Sequence, residues 1–217
     1  MISLGTWFRV SPVVRVFVGF ALAALVLLSI GWLVTGTYRG WISPFDSSIR
    51  GAIRQMQSPM WTALLLTVTK LGSTIYLFIV GSVAGIIFIT LRWFKPLVLL
   101  IVVMAGQAAL HHGLKWFIAR PRPNPLIGYK DVESFSFPSG HAVAGLCLYA
   151  AIAWFVSSAM ESPAAKAGIW IFATILIFLI GLSRVYIGIH YPSDVLAGFL
   201  AAGVWSAAVL SIDRRPL

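Results

Sequence analysis

Long apolar runs separated by short polar stretches dominate the chain. A helix needs about 20 mostly apolar residues to cross the hydrocarbon core of a bilayer, and six runs come close to that length. They cover residues 16–34, 71–91, 96–114, 138–160, 167–183 and 195–212. The first run is longer than a signal-peptide core and no small-residue cleavage site follows it, so we expect it to be retained. The pattern predicts an all-α membrane protein with six transmembrane helices in a single domain, 1–217.

The stretch 46–70, between the first two predicted spans, has a different pattern. Ile49, Ile53 and Met56 recur at the i, i+4, i+7 spacing of one helical face, whereas the basic residues among them take other faces. Residues 60–69 are apolar but too few to cross a bilayer. We therefore expect interfacial amphipathic helices here, lying on the membrane.

Composition supports a membrane location. Of 217 residues, 59% are hydrophobic and 10% are charged, whereas soluble domains average about 25% charged residues. The 16 Lys and Arg residues against 6 Asp and Glu give a formal charge of +10. Such an excess sits at anionic headgroups or lines a site for an anionic substrate. No soluble basic domain is left outside the spans, so nucleic acid is not an expected partner. Cys147 lies within an apolar run and is expected to pack there.

Polar residues gather in three clusters, at 115–123, 138–141 and 183–194. Six spans place both termini on one side of the membrane, and the three clusters all fall on the other side. They lie at the end of the third span, at the start of the fourth, and in the turn between the fifth and sixth. Basic residues number seven on the side of the termini and nine on the other, so the positive-inside rule does not orient the chain.

The first two clusters suit an anion. Prolines after Lys115 stop the helix, so Lys115 and Arg122 can face the same anion. Pro138 suits the first position of the fourth helix. The N–H groups of the residues after it would then be unpaired and point outward, which makes a ready anion site. These residues are Ser139, Gly140 and His141.

The third cluster adds a candidate nucleophile. His190 precedes the Tyr-Pro start of the sixth span, and Asp194 lies one turn on, in position to accept a hydrogen bond from the imidazole. A carboxylate on one ring nitrogen fixes the tautomer and makes the other nitrogen a better nucleophile or base. With Arg184 nearby, the clusters supply cations, backbone donors and two histidines, a set that suits a phosphoryl group.

These residues resemble the tripartite signature of the type 2 phosphatidic acid phosphatases, a superfamily that includes glucose-6-phosphatase and the vanadium haloperoxidases. The motifs are Lys115-x6-Arg122-Pro123, Pro138-Ser139-Gly140-His141 and Ser183-Arg184-x5-His190-x3-Asp194. All three are complete and in order. The six-span layout resembles that of the bacterial membrane members of the family.

The resemblance implies a role for each site residue. His190 would attack phosphorus to form a phosphohistidine, Asp194 would orient it, and His141 would protonate the leaving oxygen and then activate water. The phosphate oxygens would be held by Lys115, Arg122, Ser139, Gly140 and Arg184. The mechanism needs no metal and no other cofactor. The resemblance also implies a bacterial inner membrane, a site facing the periplasm, and cytoplasmic termini.

The substrate expected from the resemblance is a membrane lipid phosphate that enters sideways between spans, with 46–70 as part of the entrance. The first expectation is undecaprenyl pyrophosphate. Phosphatidylglycerophosphate or phosphatidic acid is the alternative. A lipid transporter or scramblase is the non-enzyme alternative, but it would be expected to carry charged or broken helices at mid-membrane. A haloperoxidase would share the anion pocket, yet those relatives are soluble.

Four further polar residues lie near the clusters. His111 and His112 are expected to pack as polar groups near the cavity; the alternative for His111, which shares a helical face with Lys115, is contact with the site. Arg120 and Lys130 are expected to contact lipid headgroups, with a second phosphate as the alternative. A metal site is a weaker alternative, because only two well-placed histidines and one carboxylate converge among many cations.

Overall fold

The computed structural model describes residues 10–36, 39–127 and 134–213. Within these ranges the chain forms eight α-helices and no strand, which confirms the all-α prediction. The helices are α1 (Pro12–Thr35), α2 (Arg39–Gln55), α3 (Pro59–Leu71), α4 (Thr74–Thr90), α5 (Phe94–Ile118), α6 (Gly140–Ser158), α7 (Pro163–Ile187) and α8 (Pro192–Leu210).

Five of these helices, α1, α5, α6, α7 and α8, are long and apolar enough to cross a membrane. A sixth span is complete only when α3 and α4 are counted together, and the two meet at a bend of 54°. The bend falls at Gly72, where a Cβ atom would lie 2.5 Å from Ile180 and 2.9 Å from His141. The predicted span 71–91 therefore corresponds to α4, which forms a bent pair with α3, and the break between the two helices touches the site.

Three helices begin with the same Ser-Pro pair. In each, the serine side chain accepts a hydrogen bond from the N–H group three residues on, and proline takes a first-turn position where no N–H group is needed. The pairs are Ser11–Pro12, Ser58–Pro59 and Ser162–Pro163, with N···O distances of 3.3, 3.4 and 3.4 Å. Local sequence thus fixes where α1, α3 and α7 begin.

Helix α8 lies at the centre of the bundle. Its Trp205 donates to the carbonyl of Val103 on α5 at 2.9 Å, and Gly106 leaves room for the indole, since a Cβ there would lie 2.1 Å from it. On the other side, Gly19 of α1 approaches Ala208 so closely that a Cβ would lie 2.2 Å from the alanine methyl group. This packing fixes the second half of α8 against α1 and α5, and the third polar cluster lies at the other end of the same helix.

Helix α2 is amphipathic, as expected for the stretch after the first span. Its apolar face buries Ile53, and one acidic side chain, Asp46, is also buried. Asp46 accepts from the backbone N–H of Ser193 at 2.9 Å, and Arg50 donates to the carbonyl of Gly188 at 3.1 Å. The helix therefore packs across the site end of α7 and α8.

Candidate active site

A cavity of about 810 Å³ opens at one end of the helix bundle. Six predicted site residues line it: Lys115, Arg122, Gly140, His141, Arg184 and His190. They come from the end of α5 and the loop after it, from the start of α6, from the end of α7, and from the turn before α8. The structure thus brings the three sequence clusters together. No Asp or Glu of the described ranges lines the cavity, so its wall favours an anion.

The cavity extends away from this polar end between α4, α5 and α6. Residues 72–85 and 97–108 supply much of its wall. The stretch 46–70, which we expected to form part of the entrance, does not line it. Of its two helices, α2 packs against α7 and α8, and α3 packs mainly against α7.

Arg122 is fixed by the loop between α5 and α6. Its Nε donates to the carbonyl of Ser134 at 2.7 Å, and its Nη2 donates to the Ser134 hydroxyl at 2.9 Å. The remaining nitrogen, Nη1, donates to the carbonyl of Ile189 at 2.7 Å and lies 3.2 Å from His190 Nε2. A guanidinium can only donate, so this contact requires the lone pair of the imidazole to be on Nε2.

His190 follows a turn that only glycine suits. Helix α7 ends at Gly188 with φ of 90°, and a Cβ there would lie 2.3 Å from the backbone nitrogen of Leu126. The buried imidazole then places Nδ1 3.5 Å from Asp194 Oδ2, somewhat longer than an ordinary hydrogen bond. Burial lowers the pKa of His190 to about 4, although the Asp194 carboxylate raises it. The imidazole is therefore neutral at neutral pH.

Asp194 is fully buried and lies behind the cavity wall. Its Oδ2 accepts from the backbone N–H of Tyr191 at 2.8 Å, which caps the start of α8, and from the hydroxyl of Ser136. Its Oδ1 accepts from Arg120 at 2.5 Å. A carboxylate held by three donors cannot turn away from His190, so it keeps the imidazole in one orientation.

The expectation that Arg120 contacts lipid headgroups is wrong. Its side chain is buried, and the guanidinium bridges Asp194 to Asp46 of α2, to which Nη2 donates at 2.8 Å. It also donates to the hydroxyl of Ser193 at 2.8 Å and lies 3.9 Å above the ring of Tyr191. Lys130, for which the same expectation was made, lies outside the described residues.

The second cluster differs from the prediction in one respect. Helix α6 begins at Gly140 with Ser139 as its N-cap, so Pro138 precedes the cap and does not take the first helical position. The N–H group of Ser139 is also not free for a ligand, because it donates to the carbonyl of Asp194 at 3.2 Å. The Ser139 hydroxyl is buried beside it, with no hydrogen-bond partner in the described part of the chain.

His111 packs against the start of α6. A Cβ on Gly140 would lie 2.8 Å from the His111 ring, so glycine is needed for this close approach. Both His111 and His112 line the cavity. The expected packing is confirmed for His111, which also lines the cavity; His112 is exposed, with its ring 5.0 Å from that of His111.

Two polar partners of site residues were not predicted from the sequence. Thr69, near the end of α3, accepts from Arg184 Nη1 at 2.7 Å, and Asp46 holds Arg120. Thr69 gives no signal in the sequence. Asp46 gives a weak one, since it is one of only 6 acidic residues in a chain of 217, and a buried acid in such a chain needs a basic partner.

Comparisons with known proteins agree with this architecture. Residues 96–216 match the PAP2 superfamily. The protein is 35% identical to phosphatidylglycerophosphatase B of Bacillus subtilis over 159 residues, which cover 71% of this chain and 76% of the relative. It is 29% identical to an undecaprenyl-diphosphatase of Sulfolobus acidocaldarius over 167 residues, 74% of each chain.

A solved structure is also similar along almost the whole chain. It is the crystal structure of a transmembrane PAP2 type phosphatidylglycerolphosphate phosphatase from Bacillus subtilis. It shares a TM-score of 0.77 and 27% identity, and the match covers 91% of this chain and 97% of that chain. The protein is therefore a multi-pass membrane protein. Since the family match covers more than half of the sequence and includes all three polar clusters, the chain belongs to the PAP2 superfamily.

Proposed function

We propose that the protein hydrolyses a membrane lipid phosphate or pyrophosphate, with His190 as the covalent nucleophile. The enzyme class follows from its family and from relatives named as phosphatidylglycerophosphatase and undecaprenyl-diphosphatase. On that basis the chain is a lipid phosphatase. The residue roles and the choice of lipid are our inference.

One observation carries the proposal. The neutral imidazole of His190 lines a cationic cavity, with its Nε2 lone pair beside Arg122 and its Nδ1 beside the carboxylate of Asp194. A nucleophilic histidine needs this arrangement, because the carboxylate holds the tautomer and stabilises the charge that develops when Nε2 forms a bond.

The reaction has two steps. In the first, His190 Nε2 attacks phosphorus and the bond from phosphorus to the lipid oxygen breaks. His141, on the facing cavity wall, gives a proton to that leaving oxygen. In the second, His141 takes a proton from water, the water oxygen attacks phosphorus, and the phosphorus–nitrogen bond breaks. The products are inorganic phosphate and either the lipid alcohol, from a phosphomonoester, or the lipid monophosphate, from a pyrophosphate, and His190 is regenerated.

Charge stabilisation comes from groups that are in place before the reaction. Lys115, Arg122 and Arg184 line the cavity from three segments of the chain. Three cations suit the spread negative charge of the pentacoordinate transition state. The Ser139 hydroxyl and the N–H group of Gly140 would complete the phosphate site at the start of α6.

Two lipids fit the class. The relatives support phosphatidylglycerophosphate and undecaprenyl pyrophosphate equally, and both carry a phosphate at the headgroup plane. We place the protein in a bacterial inner membrane with the cavity facing the periplasm, where lipids of the outer leaflet would reach it. A panel of both lipids and phosphatidic acid, compared by kcat/KM, would identify the substrate.

The central experiment is chemical trapping. Brief reaction of the purified protein with lipid labelled in its phosphate should leave label on His190, stable to base and labile to acid. His190→Ala should carry no label and should lose turnover by several orders of magnitude, while its melting temperature in detergent stays near that of the unchanged protein. Near-normal turnover by this variant would contradict the mechanism.

A further inference from the structure

Helix α5 carries a line of polar side chains that the proposed phosphate chemistry uses only at its end. Gln107, His111 and Lys115 follow one another at a spacing of four residues, and all three line the cavity. An α-helix rises about 1.5 Å per residue, so along the axis His111 lies about 6 Å and Gln107 about 12 Å from Lys115. The line therefore runs from the phosphate end into the apolar part of the cavity.

Neither of the two deeper residues is satisfied by the protein. His111 Nδ1 is buried and has no hydrogen-bond partner among the described residues. The Gln107 side chain makes no hydrogen bond within the described ranges either. Uncompensated polar groups are expensive within a membrane span. An amide in this position is therefore expected to serve a ligand that reaches it through the cavity.

The wall around Gln107 is otherwise suited to hydrocarbon. Leu100, Ile101 and Met104 line the cavity from α5, and Leu77 and Phe78 line it from α4. Phe78 and Ile101 are 75% and 58% exposed, so the cavity opens sideways between α4 and α5. A lipid can then keep its chains at this opening while its phosphate reaches the cations.

A polar group is thus expected in the ligand a short distance below its phosphate. In a polyprenyl pyrophosphate, a second phosphate lies directly below the first and hydrocarbon begins there, so His111 would lie beside that phosphate but Gln107 would face methylene and methyl groups. In a diacylglycerol phosphate, glycerol and two ester carbonyls lie between the phosphate and the chains. The Gln107 amide and an imidazole N–H are donors that such carbonyl oxygens accept.

We infer that Gln107 and His111 form a subsite for the ester carbonyls of a glycerophospholipid, and that the substrate belongs to this class and not to the polyprenyl class. The inference rests on the proposed function, because it takes the phosphate to be bound at Lys115 and His190. It adds a specificity determinant outside the phosphate site.

The test compares substrates that differ below the phosphate that is released. Phosphate release is measured in detergent from a diacylglycerol phosphate, from its dialkyl ether analogue of equal chain length, and from a polyprenyl pyrophosphate. The protein should prefer the diacyl lipid over the ether by about tenfold in kcat/KM, the ratio expected for one hydrogen bond.

Gln107→Leu should remove that preference by lowering kcat/KM for the diacyl lipid alone. The matched control is Gln55→Leu, the same change at an exposed position on α2, which should leave all three rates unchanged. The comparison of ester with ether in the unchanged protein needs no variant, so the test stands even if Gln107→Leu folds poorly.

Different outcomes separate this inference from the proposed function. Equal rates on ester and ether, a preference for the polyprenyl lipid, or an equal loss on all three substrates in Gln107→Leu would overturn the carbonyl subsite. If the protein releases phosphate from none of the three lipids, the result would instead count against the proposed lipid phosphatase activity.

Discussion

Arg120 donates to the carboxylate of Asp194 at 2.5 Å, and both side chains are buried. The same guanidinium donates to Asp46 of the amphipathic helix α2. Two linked buried ion pairs therefore join α2, through Arg120, to Asp194, which lies beside His190. Breaking a buried ion pair leaves a charge without compensation, so this link is expected to affect the position of the nucleophile.

The first prediction concerns this link. Arg120→Lys keeps the positive charge but loses the two-pronged geometry that joins Asp46 to Asp194. Because a small displacement of a reacting group costs about a hundredfold in rate, we expect kcat to fall between ten- and a hundredfold while KM changes little. Steady-state kinetics on a lipid phosphate measure both constants.

The matched control for the link is Arg54→Lys, at an exposed position on α2, which should leave kcat unchanged. Asp46→Asn should reproduce the loss seen with Arg120→Lys, since it removes the other end of the link. Full kcat in both Arg120→Lys and Asp46→Asn would show that the link does not position His190.

The second prediction concerns pH. The folded pKa of His190 is lowered to about 4 by burial, so the neutral, nucleophilic form is lost only as pH falls through about 4. In a profile of kcat/KM, the acid limb assigned to this group should lie there. Asp194 raises this pKa, so Asp194→Asn should move the limb to lower pH while it reduces the rate.

Ionisation of the substrate phosphate is the same in both pH profiles, so any shift of the acid limb between them comes from the enzyme. An acid limb that stays in place in Asp194→Asn would argue against charge coupling between Asp194 and His190.

The third prediction concerns metals. In the proposed mechanism, Lys115, Arg122 and Arg184 take the charge-stabilising role that Mg²⁺ has in other phosphoryl transfers. Phosphate release should therefore continue at an unchanged rate in EDTA. Vanadate should compete with the lipid, because it adopts the five-coordinate geometry of the transition state. Loss of activity in EDTA that is restored by one divalent ion would contradict this prediction.

The fourth prediction concerns orientation. Ser47 lies on α2, one residue from the Asp46 that holds Arg120, whereas Ser162 caps the opposite end of the α6–α7 pair. Both positions are exposed. In a Cys147→Ala background, a cysteine at Ser47 should react with an impermeant thiol reagent in intact cells, and one at Ser162 should not. Labelling of Ser162 alone would place the cavity in the cytoplasm.

The sequence by itself determined five of the six predicted spans and the meeting of the three polar clusters. An apolar run of fixed length must cross the membrane, so each crossing reverses the chain and alternate ends share a face. Residues 115–123, 138–141 and 183–194 therefore converge by connectivity alone. The Ser-Pro pairs likewise fix helix starts locally, because capping involves atoms only three residues apart.

Only the tertiary structure decided which polar residues support the site. Arg120 and Asp46 are 74 residues apart, and Arg184 and Thr69 are 115 apart. The spacing of residues along the sequence does not indicate such a pairing, because the pairing depends on how α2 and the bent end of α3 pack against α7 and α8. The direction in which the Gln107 side chain points was also decided by helix packing. Gln107, His111 and Lys115 share one face of α5, but the sequence does not show what that face meets; packing against Trp205 and the start of α6 turned it toward the cavity.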